Sequence, residues 1–105
     1  MIKGIDINQR IEFVSKYDTD EVKTVFIFRP LKASEMMDVI GAEASVALKG
    51  NKIIDYLDMA ICEIKNADFQ DKRTFLDSLN SLIISELVTQ ASVLNNMTTQ
   101  EIKNS

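Results

Sequence analysis

The side chains that carry most enzyme chemistry are scarce in this sequence. It holds no histidine and one cysteine, Cys62, so neither a Ser-His-Asp triad nor a Cys-His pair can be assembled within one chain. Zinc has almost no ligands to choose from. Carboxylates remain: Asp55 and Asp58 stand three residues apart, as do Asp68 and Asp71, which on a helix puts each pair on one face. Such pairs can serve as general acid and base or hold a divalent cation, but neither has a second acidic pair at ligand spacing, and doublets of this kind are ordinarily solvated faces. There is no phosphate loop of the GxxxxGK[ST] or GxGxxG form. The expectation is a protein that binds and does not catalyse, without cofactor or metal.

Phe26 and Phe28 alternate beside Arg29, a spacing that could offer a stacking platform to single-stranded nucleic acid. Charge argues against it. The formal net charge is -4 and the sequence pI is about 4.7, and the 12 Lys and Arg residues are scattered from Lys3 to Lys103 without a cluster. A phosphate backbone is repelled by that balance, and strand aromatics among Val and Ile are ordinary core residues. Met36 and Met37 read first as filler on an apolar helix stripe, and Cys62, inside a helical pattern, reads as a small buried apolar residue.

The elements that must position these residues follow from periodicity. Ile11 to Tyr17 and Val22 to Arg29 are rich in β-branched and aromatic residues, and the polar Asp18-Thr19-Asp20-Glu21 between them suits a hairpin loop. Pro30 ends the second strand because it cannot donate to the ladder. The run from Val25 to Phe28 is apolar on both faces, so one face should pack on the helices while the other needs a covering that a lone hairpin cannot supply; a partner, the segment Met1 to Ile7 or a long helix folding back would provide it. From Ser34, read as an N-cap, the period becomes helical through Met36, Met37, Ile40, Ala44, Ala47 and Leu48, with Gly50-Asn51 as the stop. Gly41 and the small residues after it make that helix thin, open to close approach by a neighbour.

A second helix is expected from Lys52 with Ile53, Leu57, Ile61 and Ile64 as its stripe, and a third and longest from Lys72 to Asn95 along Phe75, Leu76, Leu79, Leu82, Ile83, Leu87, Val88, Ala91 and Leu94. The last would be roughly 35 Å long at 1.5 Å per residue, long enough to project from a small core. Thr98-Thr99-Gln100-Glu101 fits a capping box and predicts a short C-terminal helical turn. The fold expected is a mostly helical α+β domain spanning 1–105, with an antiparallel β-hairpin in 1–31 packed on about three α-helices in 34–105. The N-terminal segment lacks the apolar run of a signal peptide and no stretch is long enough to span a membrane, so a cytoplasmic location is expected.

Asp20-Glu21-Val22-Lys23-Thr24-Val25-Phe26-Ile27-Phe28-Arg29-Pro30-Leu31 resembles the opening, acidic residues followed by T-V-F-x-x-R-P-L and a helix, of small proteins encoded beside the tail tube and tape measure genes of tailed phages: tail assembly chaperones and minor virion structural proteins. Leu94 to Ser105 is similar to the L-(S/T)-x-x-E-x-K-N ending of such proteins. The resemblance implies a non-enzymatic phage assembly protein that engages the tape measure or tail tube protein in the host bacterial cytoplasm. Its alternative is a structural component kept in the mature virion, in the tail or head–tail region, forming a homo-oligomer through its helices. A small acidic regulator or inhibitor is a further alternative from a different class. Phe26, Phe28, Arg29, Pro30 and Leu31 match the first motif. With the apolar surplus of the long helix, the partner-binding residues expected are Phe26, Phe28, Arg29, Leu31, Leu87, Val88 and Leu94, with no nucleic acid and no membrane as partner.

Overall fold

The computed structural model describes residues 6–40 and 51–96. The expected helical continuation through Gly41, Ala44, Ala47 and Leu48, the Gly50 stop, residues 1–5 of the Met1 to Ile7 covering segment and the Thr98–Glu101 capping box all lie outside the described residues, and Ile7 is exposed. Those described form a mixed α+β fold: β1 (Ile11–Phe13), β2 (Val25–Phe28), α1 (Ala33–Ile40), α2 (Asn51–Ala60), β3 (Ile61–Lys65), α3 (Lys72–Asp77) and α4 (Ser81–Asn96).

The three strands make one antiparallel sheet in the order β1-β2-β3. The expected hairpin is present, β1 pairing with β2 through Ile11↔Phe28 and Phe13↔Phe26, but its strands are shorter than predicted because residues 14–24 leave the ladder for a looped connection. The third strand is the main departure. Ile61 to Lys65, expected as the end of a helix, pairs instead with β2 through Phe26↔Ile64 and Phe28↔Ile61.

An irregularity between Ile27 and Phe28 explains how a helical spacing could become a strand. Ile61 and Ile64, three apart, would point to opposite faces of a regular strand. With Ile27 opposite Glu63 and Phe28 opposite Ile61, Cys62 is an extra residue on β3, and such a bulge returns both isoleucines to one face. Cys62 is consequently exposed, correcting its expected burial; its thiol donates to the Ile27 carbonyl at 3.4 Å.

The core-facing side of the sheet carries Ile11, Phe13, Phe26, Phe28, Ile61 and Ile64, and the helices lay Tyr56, Leu57, Leu76, Leu87, Ala91 and Leu94 against it. Phe13 meets Phe28 edge to face at 6.1 Å, a favoured aromatic geometry.

The long C-terminal helix is broken. Asp71 caps α3 by accepting from the Thr74 amide at 2.9 Å, and Asn80 caps α4 by accepting from the Ile83 amide at 3.0 Å. The Ser78 hydroxyl donates to the Phe75 carbonyl at 2.6 Å while the Asn80 side chain takes the Ile83 amide, and these local bonds compete with a helix ladder and stop the apolar stripe from running straight through. α4, with 16 residues, is then about 24 Å long at 1.5 Å per residue instead of the longer rod expected.

α1 starts two positions earlier than expected. Lys32 holds the N-cap position, and Glu35 in the first turn reaches back to accept the Lys32 amide at 3.0 Å, the half of a capping box that a glutamate at the third helical position supplies. Ser34 lies inside the helix and not at its cap.

Candidate functional site

Most residues singled out for partner contact are structural. Phe26, Phe28, Leu31, Leu87 and Leu94 are all buried in the hydrophobic core, and a side chain enclosed by its own fold offers no area to a partner; in this conformation their role is packing. Val88 is half-buried against the same core. Arg29 forms a two-pronged ion pair with Glu35, at 3.0 and 2.7 Å, while its amide donates to the Ala60 carbonyl at 2.9 Å. The Arg29-Pro30-Leu31 motif thus ties β2 to α1 and to the end of α2. The fork holds Glu35 to a pKa of about 2, well below its ordinary 4.5, first through the Arg29 hydrogen bond and next through the Lys32 amide.

Three of the four paired carboxylates are also engaged in the fold. Asp55 pairs with Arg73, and Asp58 lies 3.5 Å from the Lys72 ammonium. Lys72 further donates to the carbonyls of Asp58 at 2.8 Å and Ile61 at 2.7 Å, satisfying acceptors left over where α2 ends. Asp71 is spent on capping α3. Among the described residues no group of three or more Cys, Asp and Glu could hold a metal ion, and no helix is long and apolar enough to cross a membrane.

A different surface brings together two of the exposed apolar side chains, Tyr17 and Leu82. The polar connection after β1 is held on α4 by a single carboxylate, Glu86, the only charged residue in that helix. The buried Ser15 donates its hydroxyl to one Glu86 oxygen, and the Lys16 amide donates to the other at 3.3 Å. Ser15 accepts in turn from the Tyr17 amide at 3.1 Å, and the Asp18 amide closes the turn on the Ser15 carbonyl at 3.1 Å. Tyr17 is thereby set over a groove between the loop and α4.

Tyr17 lines two hollows there. One, of about 320 Å³, is lined by Phe13, Lys16, Tyr17, Leu82, Glu86 and Gln90 among others. The second, of about 270 Å³, lies under the 18–20 turn, with Phe26, Phe75, Leu79 and Ile83 as its apolar lining and Asp18 and Asp20 as its charged residues. Asp18 is fixed by the amides of Thr24 at 2.8 Å and Asp20 at 3.1 Å, donors that lower its pKa. Tyr17 and Leu82 are 41% and 57% exposed, and Val14 and Val22 of the same loop are exposed as well.

Sequence reasoning missed this surface because its residues come from the 14–24 loop, the α3–α4 break and one face of α4. The legible signal was the near absence of charge in Ser81 to Asn96, where a solvent face ordinarily carries several charges. Comparison of the chain with protein-family models, with curated proteins and with solved structures finds no match.

Proposed function

We propose that the chain is a non-catalytic module that binds another protein through the groove between the 14–24 loop and α4, and that its partners are phage tail proteins, the tape measure or tail tube protein, during assembly. The observation that carries the binding reading is the exposure of Tyr17 and Leu82 on the walls of one groove; aromatic and aliphatic anchors beside polar residues, here Ser85, Thr89 and Gln90 with Lys16 and Glu86, are the composition of a protein contact surface. The distribution of titratable groups supports a non-catalytic reading: Glu35, Asp55, Asp58, Asp71 and Glu86 are each spent on an ion pair or a backbone amide. The phage assignment rests on the resemblance of 20–31 and 94–105 alone.

The test is co-expression of the chain with the tail tube and tape measure proteins encoded in the same genome. The expected result is co-purification and a rise in the partner's solubility, both lost in the Tyr17→Ser/Leu82→Ser double variant while its circular dichroism stays unchanged. A chain that stays alone beside every tail protein overturns the assignment.

One observation favours a second reading, a virion component that self-associates. Leu82 and Val93 are both exposed and stand eleven residues apart on α4, close to three helical turns, so they share a face whose one charge, Glu86, is already engaged. Ring-sized assemblies in light scattering, with the chain present in purified particles, would select this reading.

A further inference from the structure

We infer that the hollow under the 18–20 turn receives one apolar side chain of a partner polypeptide, and that the residues flanking that side chain are Lys or Arg. The inference deepens the partner-binding reading and rests on it.

The lining argues for a side chain in this hollow of about 270 Å³. Phe75 from α3, Leu79 from the break and Ile83 from α4 are half-buried around it, while Phe26 beneath them is 3% exposed. Three half-buried apolar side chains around an open hollow gain most when another apolar group displaces water from it. The break at Ser78 to Asn80 creates the space, since a helix continuing through these residues would carry Leu79 and Ile83 along a single straight stripe.

Charge selects the flanks. Asp18 and Asp20 are the charged residues of the lining, and Glu21, next in the chain, is exposed. Lys23 donates to the Asp18 carbonyl at 2.7 Å and its charge also acts on the Asp18 carboxylate, but it does not line the hollow. Asp18 remains ionised, held by two amide donors. A cation beside the inserted side chain meets these carboxylates, while an acidic flank is repelled and encounters more slowly.

The experiment uses the full chain and short fluorescent peptides with a central Leu flanked by Lys, the same Leu flanked by Glu, and a central Ser flanked by Lys, read by anisotropy at low and high salt. The Lys-flanked Leu peptide is expected to bind about tenfold or more tighter than either control, with affinity falling as salt rises. Asp20→Lys, at an exposed position whose carboxylate supports no fold contact described here, should weaken binding severalfold, and Ile83→Lys should abolish it. Equal affinity for the Glu-flanked peptide, indifference to Asp20→Lys, or no binding of any peptide overturns the inference. If a tail protein co-purifies equally with wild type and Asp20→Lys, the hollow is not its site although the module reading stands. If the peptides discriminate as expected but no tail protein co-purifies, the hollow stands and the phage assignment falls.

Discussion

Glu86 and Ser15, 71 residues apart in sequence, form the hydrogen bond that holds the 14–24 loop on α4. The hydroxyl is buried, and the same carboxylate also takes the Lys16 amide. Removing the hydroxyl leaves a half-buried carboxylate short of a donor, so Ser15→Ala should cost about 1–2 kcal/mol. Glu86→Ala should cost a similar amount, and the double variant less than the sum. Denaturation of the four proteins in urea checks the cycle, and faster hydrogen exchange at the Lys16 and Tyr17 amides checks that the loop has been released. Additive losses would show that the two groups are not coupled.

The Arg29–Glu35 fork predicts an acid dependence. Glu35 has its pKa lowered to about 2 from 4.5, so the unfolded chain takes up the proton first as pH falls. The fork's contribution is fully present above about pH 4.5 and is lost as pH falls toward 2. Glu35→Gln should be less stable than wild type at neutral pH by about 1–2 kcal/mol, allowing for the pair's partial exposure. That gap should narrow through pH 4.5 to 2 in urea titrations. A gap constant down to pH 2 would show that the fork does not couple to folding.

Lys72 and Arg73 are neighbours with unequal roles. Lys72 satisfies two carbonyls at the end of α2 besides lying near Asp58, whereas Arg73 pairs with Asp55 at a more exposed site. Lys72→Met should cost about 1–2 kcal/mol by leaving those carbonyls without their donor, and Arg73→Ala about 0–1 kcal/mol. Thermal melts of the two variants decide the order; equal losses would mean that the carbonyl contacts are not what stabilises this corner.

Asn66 follows β3 with φ at 60°, in the left-handed region that favours glycine and tolerates asparagine. Its side chain donates to the Lys23 carbonyl at 3.0 Å, and its own carbonyl accepts the Thr24 hydroxyl at 3.1 Å. Asn66→Ala loses both the backbone tolerance and the side-chain bond and should cost about 1–2 kcal/mol. Asn66→Gly keeps the backbone and should cost less, and the difference in urea midpoint between the two variants measures the backbone share.

Much of the architecture is legible in the sequence. Val25 to Phe28 reads as a strand because β-branched and aromatic side chains fit a pleated sheet, and the apolar spacing from Leu76 to Leu94 marks the helical face that closes the core. The core face of β2, with Phe26 and Phe28, is covered by this chain's own helices, and Ile27, next between them on the other face, is 7% exposed. The candidate groove was almost illegible, since its parts are local in neither sequence nor period.

What the sequence by itself determined is the inventory: which stretches are apolar enough to be buried, which positions can cap, and that no histidine exists to build a triad. What only the tertiary structure decided is how ambiguous stretches resolve. Ile61 and Ile64 satisfy a helix and a bulged strand equally well, and the free edge of β2, whose backbone groups needed partners, selected the strand. Leu79 and Leu82 could have continued one long helix, but Asp71 and Asn80 supply local caps and the core required α3 and α4 to pack separately. Hydrophobic period measures how much surface must be hidden; only the assembled neighbours determine where it can be hidden, and that choice left the hollow beside Tyr17.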